Sequence, residues 1–471
     1  MNIQDATAWA EEVFGNCDLG DPRRLVRLVD YASRQASDPK GSTMKVCAGN
    51  AAAEEGAYRF LRNKHVQASD IDKGVFRSTA KLCEGEEVVL VVQDSSSTEV
   101  SHKPLRDELE ENGCPTGWMV HSALAVSGKT GAIIGLLDQE RWVRPHERPG
   151  KKARRERAYE DKESFKWQSA SERVIKLVKR TSNLVTVCDR EGDIFEYILF
   201  HVENSHRYVI RCSLDRRTAG KSKLWADMEA MPLCGTRKIV IEQRGASPQK
   251  KGIRPARKKR TVDLEVRAGN ATILCPKSRK VAGATSLTMN VVYVKEIGST
   301  SKDPLVWRLF TSEPIDTFKG VEKIISFYEK RWLIEEFHKC WKTGCRAEER
   351  SLQSLEALDR FYAISAPIAI RMMQLKNLLE TEPENSCETA LDRDEWQCLH
   401  ATLEPRKPIP KKAPNIRWAY YSIAKLGGWI DTKRTGRVGC TTMWDGWQKL
   451  LERVEGWRLA KSAYARAQGD L

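Results

Sequence analysis

The chain has no uninterrupted apolar run near the roughly 18 residues that a membrane helix needs. Its first residues, Met1-Asn2-Ile3-Gln4-Asp5, carry neither a basic n-region nor an apolar core. Both absences point to a soluble, cytoplasmic protein without a membrane partner. No GxxxxGK[ST] loop and no GxSxG elbow occurs, which removes support for P-loop nucleotide hydrolysis and for serine esterase chemistry. The 13 cysteines include no CxxC pair, the closest spacing being Cys340 to Cys345, so they read as reduced thiols rather than zinc ligands. Negative charge is also short: 64 Asp+Glu face 79 Lys+Arg, and the resulting +15 favours a polyanionic partner such as nucleic acid. No internal repeat is evident.

What is present begins with length. A chain of 471 residues suggests about three units. Residues 1–70 alternate helical patterns with cap signals and form a helical unit. In it Asp21 and Pro22 cap and open a helix that carries Arg23, Arg24 and Arg27 near its start, where backbone N–H groups also favour phosphate. That helix is either a DNA-contacting element or a solvated basic face. Residues 71–379 alternate strand and helix patterns in the order strand, strand, strand, helix, strand, helix. This is an α/β, ribonuclease-H-like mixed sheet, interrupted by a β-rich insert at about 212–312. Residues 380–471 are helical and rich in tryptophan, which marks a partner or self-association surface.

Three acids stand out. Asp94 ends the strand-like run 88–93, and Asp189 ends the run 184–188. Glu335 lies on a segment, 326–342, that reads as one helix. On a wheel of about 100° per residue, Tyr328, Arg331, Glu335, His338, Lys339 and Lys342 share one face of it. The segment is either an ordinary amphipathic helix with i,i+4 charge pairs or one acid set among cations for a phosphate backbone. Three converging carboxylates can hold two Mg²⁺, with Mn²⁺ a substitute, and direct in-line displacement at phosphorus. Glu191, Asp193 and His338 are possible supporting groups around them. The basic segment 148–164 reads as a mobile loop or as a helix start that firms up only near Ser164, and the run Lys250-Lys251-Gly252-Ile253-Arg254 with the cations that follow reads as a backbone clamp or a solvated loop.

The acids in Val92-Gln93-Asp94-Ser95 and Cys188-Asp189-Arg190-Glu191-Gly192-Asp193, with the spacing Tyr328-x2-Arg331-x3-Glu335-x6-Lys342, resemble the DDE transposases of the insertion-sequence-four family. Further landmarks are Leu19-Gly20-Asp21-Pro22-Arg23-Arg24, Glu55-Gly56-Ala57-Tyr58-Arg59-Phe60 and Leu426-Gly427-Gly428-Trp429, so the resemblance covers nearly the whole chain. Two departures, Gly117-Trp118-Met119 and the longer basic loop 146–162, touch DNA grip rather than the acids. The resemblance implies a cut-and-paste transposase: an N-terminal DNA-binding unit, a catalytic core with a β insert, and a C-terminal dimerisation region. It also implies a homodimer on double-stranded transposon ends and target DNA, associated with the nucleoid. By the same resemblance Asp94, Asp189 and Glu335 are catalytic metal ligands. Tyr328, Arg331, Lys339, Lys342 and Arg211 contact DNA by that resemblance, and a flipped base stacks on Trp307; Arg23, Arg24, Arg27 and Arg59 of the helical unit are further candidate DNA contacts. The alternatives are a silent DNA-binding inhibitor or a nuclease without strand transfer.

Overall fold

The computed structural model describes residues 5–111, 117–144, 150, 156–220, 222–241, 247–249, 252–254, 256, 258–276, 284–299, 304–380, 383–432 and 438–468. The chain falls into two compact units that do not follow chain order: Met1–Thr79, Ser97–Trp118 and Glu336–Leu471 form one, Ala80–Ser96 and Met119–Glu335 the other. The two chain ends therefore share a unit, where the sequence pattern suggested three consecutive segments.

The second unit is built on one nine-stranded mixed sheet. In chain order its strands are β1 (Val89–Glu99), β2 (Gly117–Ser127), β3 (Ile133–Val143), β4 (Leu184–Cys188), β5 (Arg207–Arg211) and β6 (Leu233–Ile241). After a separate two-stranded pair, β7 (Ser247–Gln249) and β8 (Gly252–Arg254), come β9 (Arg260–Leu274), β10 (Ser286–Glu296) and β11 (Val306–Thr311). The order across the sheet is β3-β2-β1-β4-β5-β11-β10-β9-β6. β1, β4 and β5 run parallel to one another, whereas β11 joins β5 antiparallel, with Leu309 opposite Arg211. The β-rich stretch expected as an insert thus extends the same sheet. Within it the two short runs 262–266 and 271–274 are a single 15-residue strand, β9, because β10 pairs with it from Leu264 to Leu274 without a break.

Burial explains the strand patterns. Val89, Leu90, Val91 and Val92 are all buried, the continuous apolar run of a central strand covered on both faces. One face packs Trp167, Tyr197, Tyr208, Phe195, Tyr293 and Phe310. A smaller cluster joins Val89, Val91, Ala123, Ala125 and Leu137 to Val174 of the helix Lys166–Leu177.

The first unit is helical. Asp21 caps the helix Pro22–Ser37, its Oδ1 accepting from the Arg23 N–H at 2.9 Å, as its sequence signals suggested. Three buried arginines, Arg350 ahead of the helix Leu355–Glu380 and Arg360 and Arg371 within it, donate to backbone carbonyls, most of them around the N-terminal helices. Arg360 bonds Leu61 O at 2.8 Å in the last turn of the helix Ala51–Arg62, and Arg371 bonds Ala36 O at 2.8 Å in the last turn of Pro22–Ser37. Arg350 reaches Gly41 O, Pro39 O at 2.7 Å and Cys345 O at 2.6 Å. Helix-end carbonyls have no partner of their own, so each such bond satisfies a group whose burial would otherwise be costly.

Candidate active site

Asp94 and Asp189 stand side by side because of strand register. β1 and β4 are parallel neighbours, and Gln93 pairs with Cys188, so each chain delivers its aspartate immediately after the last matched pair. Local bonds hold both carboxylates. Asp94 Oδ1 accepts from the Ser95 N–H at 2.7 Å, and Asp189 Oδ1 accepts from the Glu191 N–H at 2.7 Å as it caps the short turn Arg190–Gly192.

Behind Asp94 lies a buried polar network absent from the sequence expectations. The Gln93 amide donates to Ser171 Oγ at 2.8 Å, and Gln93 Oε1 lies 3.1 Å from His121 Nε2. His121 Nδ1 lies 2.9 Å from Ser95 Oγ, beside the aspartate. Gln93 and His121 are fully buried, so this network fixes the end of β1. Its members come from strands and a helix far apart in sequence, and no local spacing marks them.

The third acid arrives through a break. The expected single helix over 326–342 is a helix Phe318–Lys330, a turn at Arg331, a helix Trp332–Lys339 and a π-turn Cys340–Gly344. At the break Arg331 spans two acids: Nη2 lies 2.5 Å from Glu335 Oε1, and Nη1 lies 3.6 Å from Asp94 Oδ2. The Arg331 side chain is only 12% exposed and that of Asp94 15%. Burial opposes the charge of Arg331, but Tyr328, Glu335 and Asp94 hold its pKa above the ordinary guanidinium value. Burial, then the charge of Asp189, raises the Asp94 carboxyl to about 7, against the pull of Arg331 and the Ser95 N–H and with a smaller push from Glu335. Burial and a neighbouring carboxylate thus outweigh the Arg331 charge and favour the neutral acid, a balance that a bound cation would reverse.

Two aromatics line the approach. The Trp307 ring meets Tyr328 edge-on, 5.3 Å between centroids, and Arg331 Cζ lies 5.9 Å from the centre of the Tyr328 ring. Trp307, Tyr328, Arg331, Asp94 and Glu335 thus form one continuous array. Arg211, at the end of β5, donates from Nη2 to Val306 O at 3.0 Å, next in chain to Trp307.

The remaining expected residues fall elsewhere. Asp193 is committed to structure: its carboxylate lies 2.6 Å from Arg216 and accepts from the N–H groups of Ser213 and Leu214 at 2.7 and 3.0 Å. Glu191 is exposed and lends the site its backbone N–H. His338, expected on the polar face, is buried, so that face is covered where His338 stands. Burial, with the charge of Lys342, lowers its pKa to about 3, so it is neutral. Lys342 donates to Ser97 O and lies 3.8 Å from Glu348, while Lys339 is exposed. In the N-terminal helices Arg23 pairs with its own cap Asp21 at 2.8 Å, Arg24 donates to Leu19 O at 2.8 Å and Arg59 pairs with Glu55 at 2.6 Å. Arg27 rests its guanidinium over Gly56, where a Cβ would sit 2.4 Å from Cζ. Lys250 and Lys251, like Lys151, Lys152, Arg154 and Arg155, lie outside the described residues, as does the side chain of Arg254.

The donor set suits a hard divalent cation: three carboxylates, two of them adjacent where the parallel β1–β4 pairing ends. Among the described residues no group of three or more His, Cys, Asp or Glu side chains is gathered closely enough to hold a metal ion. The Arg331 guanidinium bridges Asp94 and Glu335. Among the same residues no helix is long and apolar enough to cross a membrane.

Comparison with protein families gives two matches. Residues 6–66 match the model described as Transposase DNA-binding, and residues 367–467 match the model described as Transposase Tn5 dimerisation domain. The segment between them contains all three acids.

Proposed function

Starting from a transposase DNA-binding match at one end of the chain and a Tn5 dimerisation match at the other, we propose that this protein is a cut-and-paste DNA transposase of the insertion-sequence-four type. Asp94, Asp189 and Glu335 are its catalytic acids. The observation that carries this reading is the delivery of Asp94 and Asp189 by neighbouring parallel strands, with Arg331 bridging Asp94 to Glu335. The strand order β3-β2-β1-β4-β5, with β1, β4 and β5 parallel, supports a ribonuclease-H-like core.

The three carboxylates would hold two Mg²⁺, which supply Lewis acidity to the attacking and leaving oxygens when bound. The chain's own residues do the rest. Parallel strand ends fix two acids on rigid backbone, and the network through Gln93 and His121 holds Asp94 in line. Arg331 neutralises the carboxylates in the free protein and is placed to turn its charge to a scissile phosphate when DNA enters. Tyr328 and Trp307 line the approach of the strand.

Each chemical step is the same displacement: an oxygen nucleophile bonds to phosphorus as the bridging oxygen leaves with the electron pair and gains a proton. With water the step nicks the transposon end and frees a 3′-hydroxyl. That hydroxyl attacks the opposite strand and closes a hairpin, while Trp307 receives the base that the sharp bend unstacks. Water reopens the hairpin, and the 3′ ends join target DNA. A homodimer carries the two ends.

Glu335→Ala tests the reading. Binding of transposon-end DNA should persist while Mg²⁺-dependent cleavage falls by about three orders of magnitude, the several kcal/mol that metal-assisted displacement supplies. Cleavage that survives the substitution removes Glu335 from the site.

A further inference from the structure

In the helical unit four sulfur-bearing side chains converge. Cys340 Sγ stands 3.0 Å from Cys440 Sγ and 3.8 Å from Met372 Sδ. Cys345 Sγ reaches the same Met372 sulfur at 3.8 Å but also lies 3.6 Å from Ser365 O, so it is turned to other partners. Cys340 is buried and Cys440 partly exposed. The adjacent Cys440 thiol, then burial, holds the Cys340 thiol well above its ordinary pKa, which leaves Cys440 as the entry point for a reagent.

We propose that Cys340 and Cys440 form a disulfide-forming pair, closed by a low-molecular-weight disulfide such as oxidised glutathione. The Cys440 thiolate attacks one sulfur of the reagent, making a mixed disulfide and expelling one small thiolate. The expelled thiolate takes the proton of Cys340, whose sulfur then attacks the Cys440 sulfur and expels the second small thiolate. Two protein thiols are oxidised and one small disulfide is reduced to two thiols. A bonded pair sits at about 2.05 Å, so the two sulfurs need close by only about 1 Å. Cys440 is the first residue of the helix Cys440–Gln468, which ends the dimerisation match. Cys340 opens the π-turn that follows the Glu335 helix. Oxidation would therefore tie the start of the C-terminal helix to that turn, a restraint absent from the reduced chain.

The full chain, reduced and then freed of reductant, is incubated with oxidised glutathione and mapped as peptides without reduction. The expected product is a chain two hydrogens lighter with the Cys340 and Cys440 peptides joined. The joined product should vanish in Cys440→Ser and persist in Cys234→Ser. Oxidised wild type should melt higher than reduced wild type, and the difference should disappear in Cys440→Ser. The proposal is overturned if glutathione remains attached at Cys440 with no internal bond, if Cys440 links to Cys345 instead, or if the folded chain takes up no disulfide while the unfolded chain does.

Discussion

Buried arginines do opposite things in the two units. In the helical unit Arg350 and Arg371 donate to backbone carbonyls, which are neutral, and burial depresses both: Arg350 sits below its ordinary value and Arg371 falls to about 10. In the sheet unit Arg331 faces carboxylates, and its pKa rises despite its burial. A carbonyl cannot be neutralised or recruited by a ligand, so the first kind of arginine is a permanent fastener. A carboxylate cluster can exchange its counter-charge for another cation, so the second kind holds a place that a ligand can take. The same side chain is therefore architectural in one unit and replaceable in the other, and the nature of the acceptor decides which.

The largest expected effect sharpens this contrast at the acids. The Asp94 carboxyl rises from 3.8 to about 7 in the folded chain, so between those values the native state holds a proton that the unfolded state has lost. The stability this contributes is complete below about pH 4 and disappears as pH climbs through 7. Denaturant unfolding with chelator present should show Asp94→Asn gaining on wild type by as much as about 4 kcal/mol between pH 4 and pH 8, at about 1.4 kcal/mol per pH unit. Cleavage by the same variant should be lost. A difference that does not change with pH would mean that Asp94 is ionised throughout.

Arg331→Ala comes next and should divide activity from stability. Cleavage should fall about a hundredfold, in the range seen when one pre-positioned charge donor is removed. The melting temperature in chelator should hardly move. Arg350→Ala should reverse that result: three carbonyls lose a shared donor and the fold loses about 3 kcal/mol in denaturant titration, while cleavage per folded molecule is unchanged. If Arg350→Ala cuts activity and leaves stability intact, the contrast between the two kinds of arginine fails. The smallest effect is expected at Gly56→Ala, whose methyl group would displace the Arg27 guanidinium resting there. End-DNA affinity should drop about three- to tenfold at moderate salt, with a shallower salt dependence, as for one weakened phosphate contact.

Much of the site was legible in the sequence because its parts are local. An apolar run buried on both faces and followed by an acid marks the candidates Asp94 and Asp189, although β1 itself runs on past Asp94 to Glu99. Asp21 followed by Pro22 announces the start of a helix. Other features were misread where local pattern competed with distant pairing. Gly269-Asn270 looked like a break between two strands, yet partners on β10 carry β9 straight through it. A helical wheel over 326–342 groups His338 with polar neighbours, and only packing shows that His338 is buried.

The chain alone determined where apolar strand runs meet acids, which helices begin with caps, and that the surplus of charge is positive, because each follows from residues within a dozen positions of one another or from simple counting. Only the folded molecule decided that Arg331 lies between Asp94 and Glu335, that Gln93 and His121 support the end of β1, and that Cys340 meets Cys440. These meetings join residues up to a hundred or more positions apart, or turn on a single break in a helix. Strand register and helix packing set them, and neither is written in any short window of sequence.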